Sequence, residues 1–403
     1  MLAPLRGLPP NAPALSLRAR PVSLASIPPP MHARRVAADH ILIPIHDFSA
    51  GGTELIAFRL ARAWIAAGRR VTILAGAADG PLRPRVPAGV AVHILSPERR
   101  RSAFSRLRLG AHMAADAARL SPDAIFIPGN FHFMLARGLR AALPHAAIVA
   151  KASNPVWSDD RTPLPVARAL VGAVTRGIDR VVAMAPALVP EVARVVGADK
   201  VIVIDDPFLD EDMRIAARPR TAAPHAPLAL LTVARLEPQK DPALALALAA
   251  ALRARGQAAR LVLLGGGPMR ARIERDIARL GLAGHVDLAG YVADPAPFYA
   301  QADMLLMTSR FEGVPAVIGE ALAHGLSFVA TDCSPWLTAL AADHPALGTV
   351  VADRDPATLA DAIASRARMP WPSAAEIEAG IGRHRIGAAA RAYLDLFDRL
   401  AAR

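Results

Sequence analysis

The sequence predicts an α/β protein built from two halves, each a parallel sheet wound with helices. Three observations predict it. After residue 37, short apolar runs alternate with longer stretches of helical period, the rhythm of βαβ units. From Asp206 to Pro227 that rhythm stops, and proline, alanine and mixed charge dominate without a period. From Leu228 it starts again in the same manner. At 403 residues and 53% hydrophobic composition, the chain has material for two cores.

In the first half, His40–Ile45 reads as a buried strand, followed by Gly51-Gly52 and a helix over Thr53–Ala67. Ile56, Leu60 and Trp64 recur every four residues and give that helix one apolar face, and Gly68 stops it. Further strands are expected at Val71–Leu74, Val90–Leu95, Ala124–Ile127, Ala147–Ala150, Arg180–Ala183 and Val201–Ile204. In the second half, Leu228–Val233 is a strand, and Asp241-Pro242 reads as a helix start, a capping acceptor followed by proline at the first helical position. Leu244, Leu248 and Leu252 stripe that helix. Leu261–Leu264 is a strand ending in Gly265-Gly266-Gly267-Pro268, and strands follow at Val286–Ala289, Met304–Met307 and Phe328–Ala330. A last helix is expected over His384–Leu400. The organisation predicted is a leader over 1–36, a first Rossmann-like domain over 37–205, a connector over 206–227, a second Rossmann-like domain over 228–383 and a terminal helix over 384–403. Two such domains face each other across a cleft, since ligands bind at the carboxyl ends of parallel strands.

Composition narrows the function. The chain has one cysteine, Cys333, which excludes a disulfide scaffold and a cysteine-rich zinc site. The longest apolar stretch, Ala243–Leu252, is far short of the ~18–20 residues of a bilayer span. These features point to a soluble, cytoplasmic protein. The net charge is +12, of which five arginines in residues 1–36 supply part and leave +7 for the rest. That proline-rich leader lacks a continuous apolar core and does not read as a secretory signal; it reads as disordered, or as lying upstream of a start at Met31, or third as a mitochondrial-type leader. The remaining positive charge suits an anionic small ligand or an anionic lipid surface. With 4% aromatics and no stacking platform, nucleic acid is not expected as a partner.

Two constellations carry chemistry. The first is Arg235-x4-Lys240, in the loop after the first strand of the second half. Only three of the 47 basic residues are lysine (Lys151, Lys200 and Lys240), so a lysine here marks a need for a flexible point charge. Arginine and lysine together can grip a diphosphate, with the N-terminus of the Pro242 helix adding its dipole. The alternative is a pair of exposed surface cations. The second constellation runs from Ser309 to Leu322 and holds Glu312 and Glu320, with Pro315 at or near a helix start. Folding of the loop over that helix start would bring the two carboxylates together, one for sugar hydroxyls and one for a ribose diol. The amides of Gly313 and Val314 would face the same ligand. The alternative is that Glu312 caps the helix and Glu320 is solvated.

Arg-x4-Lys followed by Glu-x7-Glu, with a Gly-Gly-Gly-Pro turn between them, resembles the retaining nucleotide-sugar glycosyltransferases of family GT4, which have the GT-B fold. The resemblance covers residues 38–400. Phe48-Ser49-Ala50-Gly51-Gly52-Thr53-Glu54 resembles the family's Gly-Gly loop, which approaches the donor phosphates and the acceptor. Leu261–Pro268, Gly290-Tyr291-Val292 and Tyr299-Ala300-Gln301-Ala302-Asp303 resemble its donor-domain landmarks, and the last helix resembles the one that crosses back to the first domain. The resemblance implies that Arg235 and Lys240 stabilise the leaving nucleoside diphosphate. It implies that Glu320 binds the ribose and that Glu312, with Gly313, Val314 and Pro315, holds the transferred sugar. Gly51 and Gly52 approach the donor, Val292 meets the base, and Asp294 senses a base edge or starts a helix.

The sequence also departs from the family. A histidine often follows the strand matching Ala147–Ala150; here the residues are Lys151-Ala152-Ser153-Asn154-Pro155, so Ser153, Asn154 or Lys151 is expected to take its place. His132 resembles the family's other first-domain polar site or is a partly buried helix-start residue. Gly-Val-Pro replaces the usual Gly-Phe-Gly after Glu312, and Asp332-Cys333-Ser334-Pro335-Trp336 lacks a glutamate often found there. These changes bear on which sugar is moved. The expected activity is transfer from a nucleoside-diphosphate sugar to a saccharide or lipid-linked acceptor, without a cofactor and, as is usual for the family, without a metal. The expected setting is polysaccharide or glycolipid synthesis, with contact to the inner face of the cell membrane. Arg99-Arg100-Arg101, with Arg106 and Arg108 beside Phe104, Leu107 and Leu109 on a helix over Ser102–Leu120, is the stretch expected to meet anionic lipid. The competing readings are a sugar-nucleotide epimerase or phosphorylase of the same fold, a dinucleotide-dependent dehydrogenase, and a non-catalytic binder of anionic surfaces.

Overall fold

The structure is a computed structural model. It describes residues 38–402 except 50, 103–104, 158–161, 217 and 219–225, together with the side chains of 105–107. The leader predicted over 1–36 and Phe104, Arg106 and Leu107 of the basic stretch lie outside what is described.

The first half forms a seven-stranded parallel sheet from β1 (His40–Ile45), β2 (Arg70–Ala75), β3 (Ala91–Ile94), β4 (Ala124–Ile127), β5 (Ala147–Ala152), β6 (Arg180–Ala183) and β7 (Val201–Val203). Their order is β3-β2-β1-β4-β5-β6-β7. The second half forms a six-stranded parallel sheet from β8 (Leu228–Val233), β9 (Ala259–Leu264), β10 (Val286–Gly290), β11 (Met304–Met307), β12 (Ser327–Thr331) and β13 (Gly348–Val351), ordered β10-β9-β8-β11-β12-β13. Both strand orders reverse at the first strand, between β1 and β4 and between β8 and β11. These are the switch points at which adjacent loops splay apart and leave a crevice. β13 goes beyond the sequence expectation, because a four-residue run opening with glycine carries little strand signal.

The helices of the first half are α1 (Gly52–Ala66), α2 (Ser105–Leu120), α3 (Leu135–Ala142), α4 (Leu164–Val174) and α5 (Val189–Val196). Those of the second are α6 (Pro242–Ala254), α7 (Arg270–Arg279), α8 (Ala296–Gln301), α9 (Ala316–Ala323), α10 (Pro335–Asp343), α11 (Pro356–Arg366), α12 (Ala374–Ile381) and α13 (Ile386–Ala401). No helix among the described residues is long and apolar enough to cross a membrane. Asp241 does not cap α6 as expected. It adopts a left-handed φ of +44° and its carboxylate instead accepts from Arg310 and Arg354, at 2.7 and 2.8 Å.

α13 returns to the first half and lies against α1 and β5. Trp64, Phe126, Tyr393 and Phe397 pack edge to face, with ring centroids 5.0–5.9 Å apart in four of the pairs. The indole of Trp64 donates to the Ala390 carbonyl at 3.2 Å. The described beginning of the expected connector is not a solvated strap. Asp206, Phe208 and Leu209 are buried, and Leu209 exchanges backbone hydrogen bonds with His384 and Ile386. Phe208 stacks on His384 with centroids 4.4 Å apart and lies against Gly319 of α9, where a Cβ would overlap its ring. Two apolar side chains inside a charged, proline-rich stretch therefore anchor the chain where it crosses between sheets.

Candidate active site

The site is built from the loops after β1, β4 and β5 in the first half and those after β8 and β11 in the second, and it is the loop after β5 that touches the second half. The loop after β8 carries Arg235 and Lys240. It is held from below by the Gly-Gly-Gly-Pro turn. Gly265 has φ +144°, a Cβ there would strike the Ala234 carbonyl, and Leu236 exchanges backbone bonds with Gly266 and Met269 at 2.8 and 3.0 Å. Lys240 Nζ reaches Glu312 Oε1 at 2.5 Å, which pairs the two predicted constellations directly. Glu312 is 7% exposed at its side chain and does not cap α9; its amide donates to the Cys333 carbonyl at 2.7 Å. Arg235 is half exposed and pairs with Glu237 at 2.7 Å. Pro315 is the residue before α9 rather than its first helical residue, and Val314 is buried. Burial, and then the Glu312 charge, push the Cys333 thiol up to about 12, so this cysteine stays a neutral packing group.

The first half meets this loop through Ser153 and Asn154. Gly313 lies so close that a Cβ would stand 2.6 Å from the Ser153 carbonyl and would overlap Met184. Gln239 donates to Asn154 Oδ1 at 3.3 Å and to the Phe311 carbonyl at 2.9 Å, bridging the halves. Ser334 hydroxyl donates to the Gly313 carbonyl. Sequence reasoning missed Asn130, which holds the Ser153 loop in place. Its Oδ1 accepts from the Ser153 amide at 2.8 Å and its Nδ2 donates to the Asn154 carbonyl at 2.8 Å. Lys151 is corrected: it is buried in β5 and paired with Asp206 at 2.7 Å, so it does not stand in for the absent histidine.

His132 is buried in a short 3-10 turn, and its Nε2 accepts from the His46 amide at 3.3 Å. Burial, and then the nearby Arg101 charge, lower its pKa to about 3, so the ring is neutral. Beside it sits a polar cluster that was not singled out. Arg101 Nε donates to Asp47 Oδ2 at 2.5 Å, and its guanidinium lies 4.6 Å from the Phe131 ring centroid. Burial pushes the Asp47 carboxyl up, but hydrogen bonds from His46, Arg101 and Ser49 outweigh it and hold the group well below the usual carboxylate range. Gly51 caps α1 and Gly52 begins it, and Glu54 in its first turn is buried, which raises its pKa. The only available signal for this cluster was that Glu54 directly follows Gly-Gly-Thr.

The structure redraws two other expectations. Glu320 makes no described contact with Glu312. Its carboxylate accepts from Tyr299 hydroxyl at 3.1 Å and lies 3.9 Å from Arg59 of α1, and burial raises its pKa against those partners. Asp294 accepts from the Ala296 amide at 3.0 Å and serves the start of α8, while Val292 packs at the edge of the larger core. The basic stretch is also not a free patch. Leu109 is buried, Arg101 is engaged with Asp47, and Arg100 pairs with Asp79 at 3.2 Å.

Two parallel Rossmann-like sheets, each with its strand order reversing at its first strand, give the chain the GT-B fold. The chain belongs to the group 1 glycosyltransferases: the family described as glycosyl transferases group 1 matches residues 227–368, and the glycosyl transferase 4-like domain matches residues 51–205. A D-inositol 3-phosphate glycosyltransferase of Streptomyces scabiei is 28% identical, with 88% of this chain and 85% of that protein aligned. Among solved structures, Anabaena HepE in complex with UDP and glucose superposes with a TM-score of 0.70 at 19% identity, covering 89% of this chain and 99% of that one. WaaG, a glycosyltransferase involved in lipopolysaccharide biosynthesis, superposes with a TM-score of 0.65 at 14% identity, covering 89% and 99%.

Proposed function

We propose that this glycosyltransferase moves a sugar from a nucleoside-diphosphate sugar to a saccharide or lipid-linked acceptor with retention of anomeric configuration. The observation that carries the reading is the Lys240–Glu312 pair, set at the second switch point and walled by Ser153 and Asn154 of the first half. The diphosphate gains negative charge as it departs, so Arg235 and Lys240 bind the transition state more strongly than the ground state. Arg235, half exposed and paired with one carboxylate among the described residues, can turn to a phosphate at low cost. Glu312, with the amides of Gly313 and Val314, takes the sugar hydroxyls. Glu320 takes the ribose by exchanging its Tyr299 contact. Gly51 and Gly52 open α1 toward the donor, and its N-terminus favours the phosphates. Asp47, Glu54 and neutral His132 form the acceptor side, with Arg101 fixing Asp47.

No carboxylate is assigned as a nucleophile. The leaving phosphate helps to deprotonate the acceptor on the same face, which retains configuration, and the reading requires no metal. HepE was solved with UDP and glucose, which favours a nucleotide-sugar donor here, and WaaG is involved in lipopolysaccharide biosynthesis, which favours a cell-surface saccharide. The enzyme would then work in the cytoplasm, in contact with the inner face of the membrane. Purified protein should be screened against UDP-, GDP- and ADP-sugars by thermal shift and then assayed for transfer. NMR of the product should show a retained anomeric centre, and EDTA should leave transfer intact. Inversion of configuration rejects the mechanism, and loss of activity restored by a divalent cation rejects metal independence.

A further inference from the structure

Arg59 leaves α1 in the first half and reaches the connector and the second half together. Its Nη1 donates to the Phe208 carbonyl at 2.7 Å, and its Nε lies 3.9 Å from Asp210 Oδ1. Its Nη2 lies 3.9 Å from Glu320 Oε1 on α9. A structural role would need only the connector, yet Asp210 already has Arg62, one turn further along α1, at 2.7 Å. Glu320 is held from its other side by Tyr299 of α8, whose hydroxyl donates to Oε2 at 3.1 Å. His324, at the end of α9, and Arg85, in the short turn after β2, also face this carboxylate. His324 is packed in place: its Nδ1 bonds the Glu320 carbonyl at 2.8 Å and its ring stacks on Tyr299. Arg85 is exposed on its turn.

We propose, on the assignment of Glu320 to the ribose, that Arg59 is a positioning residue for the nucleotide: it carries a countercharge from the first half to Glu320, so that the carboxylate meets the ribose diol ionised and with both oxygens open. Distance makes this possible. At 3.9 Å Arg59 is too far to hydrogen-bond Oε1, so it lends charge without taking an acceptor site. Its own donor is spent on Phe208, which fixes the guanidinium where it stands. Once Tyr299 gives up Oε2, both oxygens can accept from the two hydroxyls. A protonated carboxyl could not do this, because one oxygen would become a donor and the bonds would lose their charge assistance. Burial pushes Glu320 toward that neutral form, and the Arg59 charge is the leading influence against it. The ribose ligand of the second half thus depends on a charge supplied by the first.

The probes are UDP, GDP and ADP, titrated by calorimetry into the full chain, and the tightest is then compared with its 2′-deoxy form. The ratio of the two affinities cancels the titration of the diphosphate and any loss of folded protein. The wild type should prefer the ribose form by roughly tenfold or more, and hold that preference from about pH 8 to 6. Arg59→Gln keeps a donor for the Phe208 carbonyl and removes the charge. Its preference should fall roughly threefold or more near pH 8, and further toward pH 6 as Glu320 takes up a proton. Arg59→Met should behave in the same way, and Arg59→Lys should recover much of the preference. On a Glu320→Gln background, Arg59→Gln should change the ratio no further. Wild-type preference in Arg59→Gln and Arg59→Met at both ends of that range overturns the proposal. So does a loss that persists in full on the Glu320→Gln background. Wild-type preference in Glu320→Gln alone is a different failure: it removes the ribose assignment itself, and the role of Arg59 with it.

Discussion

Lys240 Nζ stands 2.5 Å from Glu312 Oε1, although the two residues come from loops on adjacent strands, β8 and β11, 72 positions apart. The cation is therefore already paired within the protein. In the proposed reading, a diphosphate arriving at Lys240 would share it with Glu312, and the shared lysine would tie the group assigned to the sugar to the group assigned to the leaving phosphate. The pair is held from outside by Thr308, whose hydroxyl donates to the Lys240 and Asp241 carbonyls at 3.0 Å, and by the Arg310–Asp241–Arg354 network.

Removing the lysine should show in two separable ways. Lys240→Ala is expected to lower kcat/KM by about 2–4 kcal/mol in transition-state terms. It should also destabilise the fold by about 2–3 kcal/mol, between the values for surface and fully buried pairs, because Glu312 is left without its partner. Adding Glu312→Gln should restore the melting temperature and leave activity low. Arg235→Ala should cost activity similarly with an unchanged melting temperature. Near-normal transfer in either single variant removes that residue from the phosphate grip.

The two glutamates should fail differently. Glu320→Gln keeps an acceptor for Tyr299 and should weaken nucleoside-diphosphate binding, because a ribose contact exists before and during reaction. Glu312→Gln should lower turnover without weakening that affinity, because it removes a sugar contact and frees Lys240 for the phosphates. Calorimetry with the nucleoside diphosphate, beside steady-state rates, decides the assignment; the opposite pattern exchanges the two roles.

Asn130 touches three residues of the Ser153 loop through its side chain, Ser153, Asn154 and Pro155. Asn130→Ala should therefore lower turnover by roughly tenfold or more through misplacement of that wall, with a stability loss of about 1–2 kcal/mol. Nucleoside-diphosphate affinity should not change. A parallel loss of affinity would show that the loop supports the diphosphate instead.

Acid should unfold this protein partly through its buried histidines. His132 has a folded pKa of about 3 against an ordinary value near 6.5, so between those values the unfolded chain binds more protons. Stability from this group is full above pH 6.5 and falls as pH drops toward 3. His40 and His384, lowered first by burial, act in the same direction. Urea titrations from pH 7 to 4 should show the decline, and His132→Gln should reduce its slope by up to about 1.4 kcal/mol per pH unit, one proton's worth. An unchanged slope would show that His132 titrates normally.

The strands and the two-part organisation were legible because buried parallel strands read as apolar runs between helical periods, and that signal is local. Arg235, Lys240, Glu312 and the Ser153–Asn154 segment were legible as positions, since each follows a strand end. Their contacts were not. The Lys151–Asp206 pair joins residues 55 apart, and nothing near Lys151 separates a structural cation from a functional one. The Asp47–Arg101–Phe131 cluster escaped notice for the same reason. Arg101 lies in an arginine run that reads as surface, and only the return of the chain after β3 brings it to Asp47. Asp241 shows local chemistry losing: its capping role was forfeited to two arginines from distant loops.

The cover that α13 gives Trp64, Phe126 and β5 has a consequence for synthesis on the ribosome. The first sheet is complete in the nascent chain at Val203, yet the helix that seals one of its faces is translated only after the whole second sheet. The second sheet, with its core between β8 and α11, can close before the first one does, against the usual order in which the leading domain folds first. During that interval the Trp64 face stands open to solvent and to chaperones, so a nonsense codon between α11 and Ile386 would leave a closed second sheet attached to an unsealed first one.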